Sequence, residues 1–191
     1  MGKSRLEAFS DGVIAVIITI IVLELKAPQS ADVLGLRELV PPFLSYLLSF
    51  VFIGIYWNNH HHMLYTVARI NGGILWANMH LLFWLSLVPF GTAWMAEHEF
   101  ATWPTVLYGV ILVMAAIAYT ILQNAVIRLH GKQSLLATAV GSDAKGKVSI
   151  VLYLAAIGLA FLNTWLSISL YAIVACLWLV PDRRIEKLIN D

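Results

Sequence analysis

Of 191 residues, 60% are hydrophobic and only 12% are charged, about half the charged share of a soluble domain; this excludes an ordinary soluble enzyme or binding module. A formal net charge of +1 comes with no basic patch interleaved with aromatics, so nucleic acid is not an expected partner. Cys176 is the only cysteine, which excludes an internal disulfide and a cysteine-built metal cluster.

The first predicted helix covers 5–25. Ser4-x-x-Glu7 reads as a capping box at its start, and Lys26-Ala27-Pro28 follows its end. Its apolar run lacks a small-residue cleavage site and is headed by Asp11, so the segment is expected to be retained rather than cleaved as a signal peptide. A polar loop from Gln29 to Arg37 leads to Pro41-Pro42, placed where proline does little harm, at the start of a second helix over 41–63. That helix ends in Tyr56-Trp57-Asn58-Asn59-His60-His61-His62, and Asn71-Gly72-Gly73 breaks the chain before a third helix over 72–93. Trp103-Pro104 opens a fourth over 103–129, and His130–Lys147 reads as a cytoplasmic linker.

Val148–Pro181 contains no Asp, Glu, Lys or Arg. Its 34 residues would reach about 51 Å as one helix, against a hydrocarbon core of about 30 Å. Asn163-Thr164 supplies a turn, giving two short spans over 147–163 and 165–181. The expected fold is therefore all-α, a single membrane domain of six helices over 1–191, without internal repeats or low-complexity tracts.

The basic residues orient it. With both termini cytoplasmic, the inner segments hold Lys3, Arg5, Arg69, Arg128, Lys132, Lys145, Lys147, Arg183, Arg184 and Lys187, and the outer loops only Lys26 and Arg37. Ten against two is a strong positive-inside bias. A multi-pass protein of the cell membrane, in contact with its lipids, is the expected setting.

At 100° per residue, Gly12, Val16, Thr19 and Leu23 form a narrow stripe on the first helix, with Ile20 on its flank. Thr19 is the only hydroxyl of the run from Gly12 to Leu23. If copies of this helix met around an axis, the stripe would make rings of Val, Thr and Leu; apolar rings gate by dewetting, and hydroxyls replace part of an ion's hydration shell. The plainer reading is a packing or lipid-facing surface, with Thr19 bonding back to its own helix. Asp11 lies about 140° from Val16, on the face shared by Ile14, Ile18 and Val22. A carboxylate this deep needs partners, and Arg5, Ser10, Trp57, Asn58, His61 and His80 are the candidates. It reads as a clamp between helices or as a proton-relay group. Glu24 closes the helix as a candidate outer acidic ring, or as a solvated helix-end carboxylate.

The histidines raise a rival. Adjacent residues on a helix point about 100° apart, so His60, His61 and His62 cannot all ligate one ion. With His80, His98 and His130 they nevertheless keep a membrane-bound, histidine-ligated metalloenzyme in view, and an ordinary histidine pKa of about 6.5 permits pH-dependent gating. A secondary transporter is the other alternative, although the inverted repeats and broken helices usual there are not visible. No Walker motif or nucleophile elbow is present, and no enzyme activity, cofactor or bound metal is expected.

Arg5-x-x-x-Phe9-Ser10-Asp11 resembles the first-helix signature of the transmembrane protein 175 family of potassium channels. The continuation through Thr19 and Val22-Leu23-Glu24-Leu25, the Trp57–His62 cluster and Trp84-Leu85-Ser86-Leu87-Val88-Pro89-Phe90 are also similar to it. The resemblance implies a six-span subunit, assembled as a homotetramer around a pore lined by first helices. It implies passive conduction of K+ and related monovalent cations, with selectivity over Na+ weaker than in channels carrying a filter loop. Constriction positions then fall on Val16, Ile20 and Leu23, the pore threonine on Thr19, and the polar network on Arg5, Phe9, Ser10 and Asp11. Val16 stands where a larger Ile or Leu is usual in that family, which leaves open whether Val16 or Leu23 forms the tightest ring.

Overall fold

The computed structural model describes residues 2–28 and 30–179, so Pro181 and the basic Arg183, Arg184 and Lys187 lie outside the described residues. The elements are helices: α1 (Lys3–Leu23), α2 (Val33–Glu38), α3 (Val40–Tyr65), α4 (Gly72–Ser86), α5 (Val88–Glu97), α6 (Thr102–His130), α7 (Leu135–Val140), α8 (Ala144–Leu159) and α9 (Thr164–Leu179). Among the described residues, four stretches are long and apolar enough to cross a membrane: Lys3–Leu23, Val33–Tyr65, Gly72–Glu97 and Thr102–His130. The chain is a multi-pass, all-helical membrane protein.

Several local expectations need correcting. α1 starts at Lys3 behind Gly2, and no side chain caps it, so the Ser4/Glu7 capping box does not form. Glu7 is held instead by Lys3, 3.8 Å away one turn earlier. The stretch expected as a polar loop up to Arg37 forms α2 from Val33 to Glu38, because the Asp32 carboxylate accepts from Leu34 N at 3.0 Å and Gly35 N at 3.1 Å and so satisfies two N–H groups a helix start leaves free. These two bonds, with Ser30 donating to the same oxygen, hold the Asp32 carboxyl below the usual carboxylate range, the Gly35 N–H being the largest cause.

The stretch expected as one helix over 72–93 is two, α4 and α5, meeting at Leu87. Pro89 stands near the start of α5; it has no N–H and its ring crowds the carbonyl four residues back, which kinks or breaks a helix at this point. The linker 130–147 also contains α7, capped by Ser134. The chain leaves α6 through Gly131 at φ +89°, a left-handed backbone that a side chain would strain.

α6 runs through the middle, packed against α4, α5, α8 and α9, with Tyr108, Leu112, Ala115, Ala118 and Leu122 fully buried. Lipid is as apolar as a leucine core, so packing of this kind rests on close approach of small residues rather than on escape from water. Gly109 is the clearest instance, since a Cβ there would lie 2.1 Å from the Tyr171 hydroxyl. That hydroxyl donates to Thr105 O at 3.1 Å and joins α9 to α6. α8 and α9 form an antiparallel hairpin, turned at Asn163, whose Oδ1 accepts from Trp165 N, and closed by Trp178 Nε1 donating to Ser149 Oγ at 2.8 Å.

Candidate functional site

α1 is two-faced in the way its sequence period requires. Leu6, Ser10, Ile14, Ile17 and Ile21 recur every three or four residues and are buried against the rest of the subunit. The opposite face, with Phe9, Gly12, Val16, Thr19, Ile20 and Leu23, is exposed; Val16 is 55% and Leu23 77% accessible. The stripe residues thus lie together on the outside of the subunit, while Ile14 is turned inward. Thr19 Oγ1 donates to Val16 O at 2.8 Å, so its proton is used within the helix and its oxygen lone pairs remain on the exposed face. Beside the stripe runs a groove of about 870 Å³ between α1 and α5, lined in part by Phe9, Val16, Ile20, Glu24, Pro89 and Phe90.

The buried side of α1 carries a chain of polar contacts. Ser10 Oγ donates to Leu6 O at 2.9 Å and accepts from Asn78 Nδ2 at 2.9 Å. Asn78 Oδ1 lies 2.7 Å from His60 Nε2; with the amide nitrogen already donating to Ser10, this assigns the proton to Nε2. The chain of bonds ties α1 to α4 and α3, and all three side chains are buried. Trp57 Nε1 donates to Asp11 Oδ1 at 3.0 Å, a second tie from α3 to α1.

Asp11, expected to be buried, is exposed on the subunit, as are Arg5 and Phe9. The candidate partners divide. His61 stacks on the Trp57 ring with centroids 6.3 Å apart. Asn58 lends its carbonyl to His62 Nδ1 at 2.7 Å. His80 accepts from Trp84 Nε1 at 2.9 Å, one turn along α4, and does not join the Ser10 network. The sequence reading missed His60 and Asn78. Asn78 had a signal, a primary amide inside the uncharged run from Ile70 to Ala96, where a polar side chain needs a partner. Among the described residues, no group of three His, Cys, Asp or Glu side chains is placed to hold a metal.

At the C-terminal end of α1, Glu24 is its exposed C-cap. Lys26 donates to Glu97 at the end of α5, and this hydrogen bond, with the charge of Glu97, raises the Lys26 ammonium above the ordinary lysine range. Both side chains are largely exposed, so the pair adds little stability. At the other end Lys3 Nζ donates to Tyr65 O at 2.9 Å.

A multi-span helical chain whose first helix is tied to its neighbours by buried polar bonds and leaves Val16, Thr19 and Leu23 exposed fits the class of membrane channels. Comparison with known proteins places it further. Residues 5–89 match the model of the family described as "Endosomal/lysosomal potassium channel TMEM175". A potassium channel of Chryseobacterium sp. (strain P1-3) is 51% identical over 191 residues, covering 100% of both chains. One of Chamaesiphon minutus is 33% identical over 183 residues, 90% of each chain. The crystal structure of a lysosomal potassium-selective channel TMEM175 homolog from Chamaesiphon minutus superposes with a TM-score of 0.80 at 32% identity, covering 94% of this chain and 97% of that one. The chain belongs to the TMEM175 family, a family of channels and not of enzymes.

Proposed function

We propose that this protein is a potassium channel whose conduction path is lined by α1 from several copies of the chain. The observation that carries the reading is the exposed stripe of α1 through Gly12, Val16, Thr19, Ile20 and Leu23, on which Thr19 is the one polar side chain; Asp11, also exposed, lies off this stripe. On this reading six segments cross the membrane: α1, α3, α4 with α5, α6, α8 and α9. Both termini are cytoplasmic, and four subunits surround the axis. Val16, Ile20 and Leu23 form the hydrophobic constriction, Thr19 supplies the hydroxyl ring and Glu24 an acidic outer mouth. Asp11, held by Trp57, acts as a clamp on α1 rather than as an ion ligand.

The test combines flux and accessibility. Purified protein in liposomes should carry K+ down its gradient. With Cys176, itself free and exposed, replaced by serine, single cysteines at positions 16, 19 and 23 should react with a water-soluble thiol reagent and reduce that flux, whereas cysteine at Ile14 should not react. Flux that survives full modification at all three stripe positions would place the path elsewhere.

The hydroxyl has its own prediction. Thr19→Val keeps size and removes the oxygen, so the permeability ratio of K+ over Na+ should fall by about two- to fivefold, a change of about 0.4–1 kcal/mol. Thr19→Ser should preserve the ratio. Reversal potentials under mixed gradients decide it, and an unaltered ratio in Thr19→Val leaves pore width as the source of selectivity.

A further inference from the structure

At one end of the subunit three segments meet. Lys3, at the start of α1, donates to Tyr65 O at the end of α3. His130, the last residue of α6, reaches the turn between α3 and α4. Its Nδ1 lies 2.9 Å from Val126 O and so carries the proton, because a carbonyl only accepts. Nε2 is then the acceptor for both Ala68 N at 3.1 Å and Arg69 N at 3.2 Å. The imidazole thereby pins the turn that carries Arg69 to the helix end that carries Arg128, with Lys132 just beyond it.

Arg69, Arg128 and Lys132 are exposed, and none of them has a hydrogen-bond or ion-pair partner among the described residues. The described carboxylates in this half of the subunit are already engaged. Glu7 is paired with Lys3, Asp11 accepts from Trp57, and Asp143 accepts from Gly146 N and Gln123 Nε2. An excess of basic residues at one end orients a chain in the membrane, but it supplies no counterion. The aromatic side chains say what kind of anion lies here. Tyr65 ends α3 and is exposed. Trp76, 78% exposed, stands about 6 Å along α4 from Gly72. Tyrosine and tryptophan at span ends sit at the level of the lipid headgroups. Cations just beyond such rings lie where bilayer phosphates lie, and acyl chains cover the rings as a free anion cannot. A guanidinium also matches phosphate with two parallel hydrogen bonds.

We propose that this end of the subunit is a docking surface for anionic phospholipids. Their phosphates are the counterions of Arg69, Arg128 and Lys132, and their chains run along α4 beside Trp76. The surface is separate from the α1 face and does not depend on which helix lines the conduction path.

The probe is an equimolar mixture of phosphatidylglycerol and phosphatidylcholine with matched chains, added to purified protein in detergent and read by native mass spectrometry. Phosphatidylglycerol should be retained over phosphatidylcholine by about threefold or more, and the ratio should fall to near one when Arg69→Gln, Arg128→Gln and Lys132→Gln are combined. Since these side chains hold no partner in the described subunit, the triple variant should melt with the parent in lipid-free detergent. Arg69→Gln alone, the smaller change, should lower the ratio by about half. Lys26→Gln with Arg37→Gln, at the opposite end, should leave it unaltered. Equal retention of the two lipids by the parent overturns the proposal. So does a ratio that survives in both the triple variant and Arg69→Gln, which would seat the lipid elsewhere. An equal fall in the Lys26→Gln, Arg37→Gln protein would make the effect one of overall charge and overturn it too. Displacement of phosphatidylglycerol by inorganic phosphate at constant ionic strength would mark a site for free anions and likewise overturn it.

Discussion

Asn78→Leu should be among the most destabilising single substitutions in this subunit. It leaves the His60 Nε2–H, 1% exposed, without the acceptor it has at 2.7 Å, and removes the donor that Ser10 receives at 2.9 Å. A buried donor stripped of its partner costs about 1–3 kcal/mol. Measured hydrogen bonds between membrane helices average nearer 0.6 kcal/mol, because the separated helices find other partners. The larger range applies here, since His60 lies inside the subunit with no route to lipid headgroups or water. Unfolding of purified protein in detergent should shift by about 1–3 kcal/mol. His60→Leu combined with Asn78→Leu should cost less than the sum of the two single changes, as the second removes the group the first left unpaired. Trp57→Phe, which deletes the more exposed bond to Asp11, should cost less than Asn78→Leu. An Asn78→Leu protein as stable as the parent would show that the Ser10–Asn78–His60 chain does not hold α1 in place.

What could be read in advance followed from periodicity. Val16, Thr19 and Leu23 stand on one face at 100° per residue, and the face is exposed because nothing among the described residues covers it. Asn163, Pro41-Pro42 and Asn71 mark helix boundaries because their local chemistry decides the backbone there. The failures have one physical cause, which is that partner choice depends on tertiary rotation. Of three consecutive histidines only His60 is buried, and no local property of the run distinguishes it from His61. His80 and Asn78 are two positions apart on α4 and therefore point about 200° apart; only Asn78 reaches Ser10. The capping box failed for a different reason: α1 extends one turn's fraction past Ser4 to Lys3, where Lys3 already ties down Glu7 and the Tyr65 carbonyl. The break at Leu87 was available from Pro89 alone, but the continuous apolar pattern on either side of it pointed to a single helix.

Leu23→Ser and Val16→Ser should each raise resting K+ flux, by about tenfold or more. Both side chains project from the exposed face of α1, seven residues and thus about 10.5 Å apart along the axis, with Thr19 between them. On the channel reading, the two rings bound a stretch in which the Thr19 hydroxyls are the polar contact, and an apolar constriction excludes ions by excluding water. One serine per subunit adds four hydroxyls to a ring and lowers the barrier to wetting; a tenfold rise corresponds to about 1.4 kcal/mol. The two substitutions also rank the rings. Valine is short, so its ring is the wider at equal helix spacing, and closure then rests mainly on Leu23; on that basis Leu23→Ser should have the larger effect. The opposite order would mean that the α1 helices converge toward Val16, bringing the smaller side chains closer to the axis. Ile14→Ser is the control, because Ile14 is 1% exposed on the inward face and its replacement should reduce stability without opening a path. Liposome flux measured for all three variants decides the matter, and unchanged flux in both Leu23→Ser and Val16→Ser would remove the hydrophobic barrier from this stretch of α1.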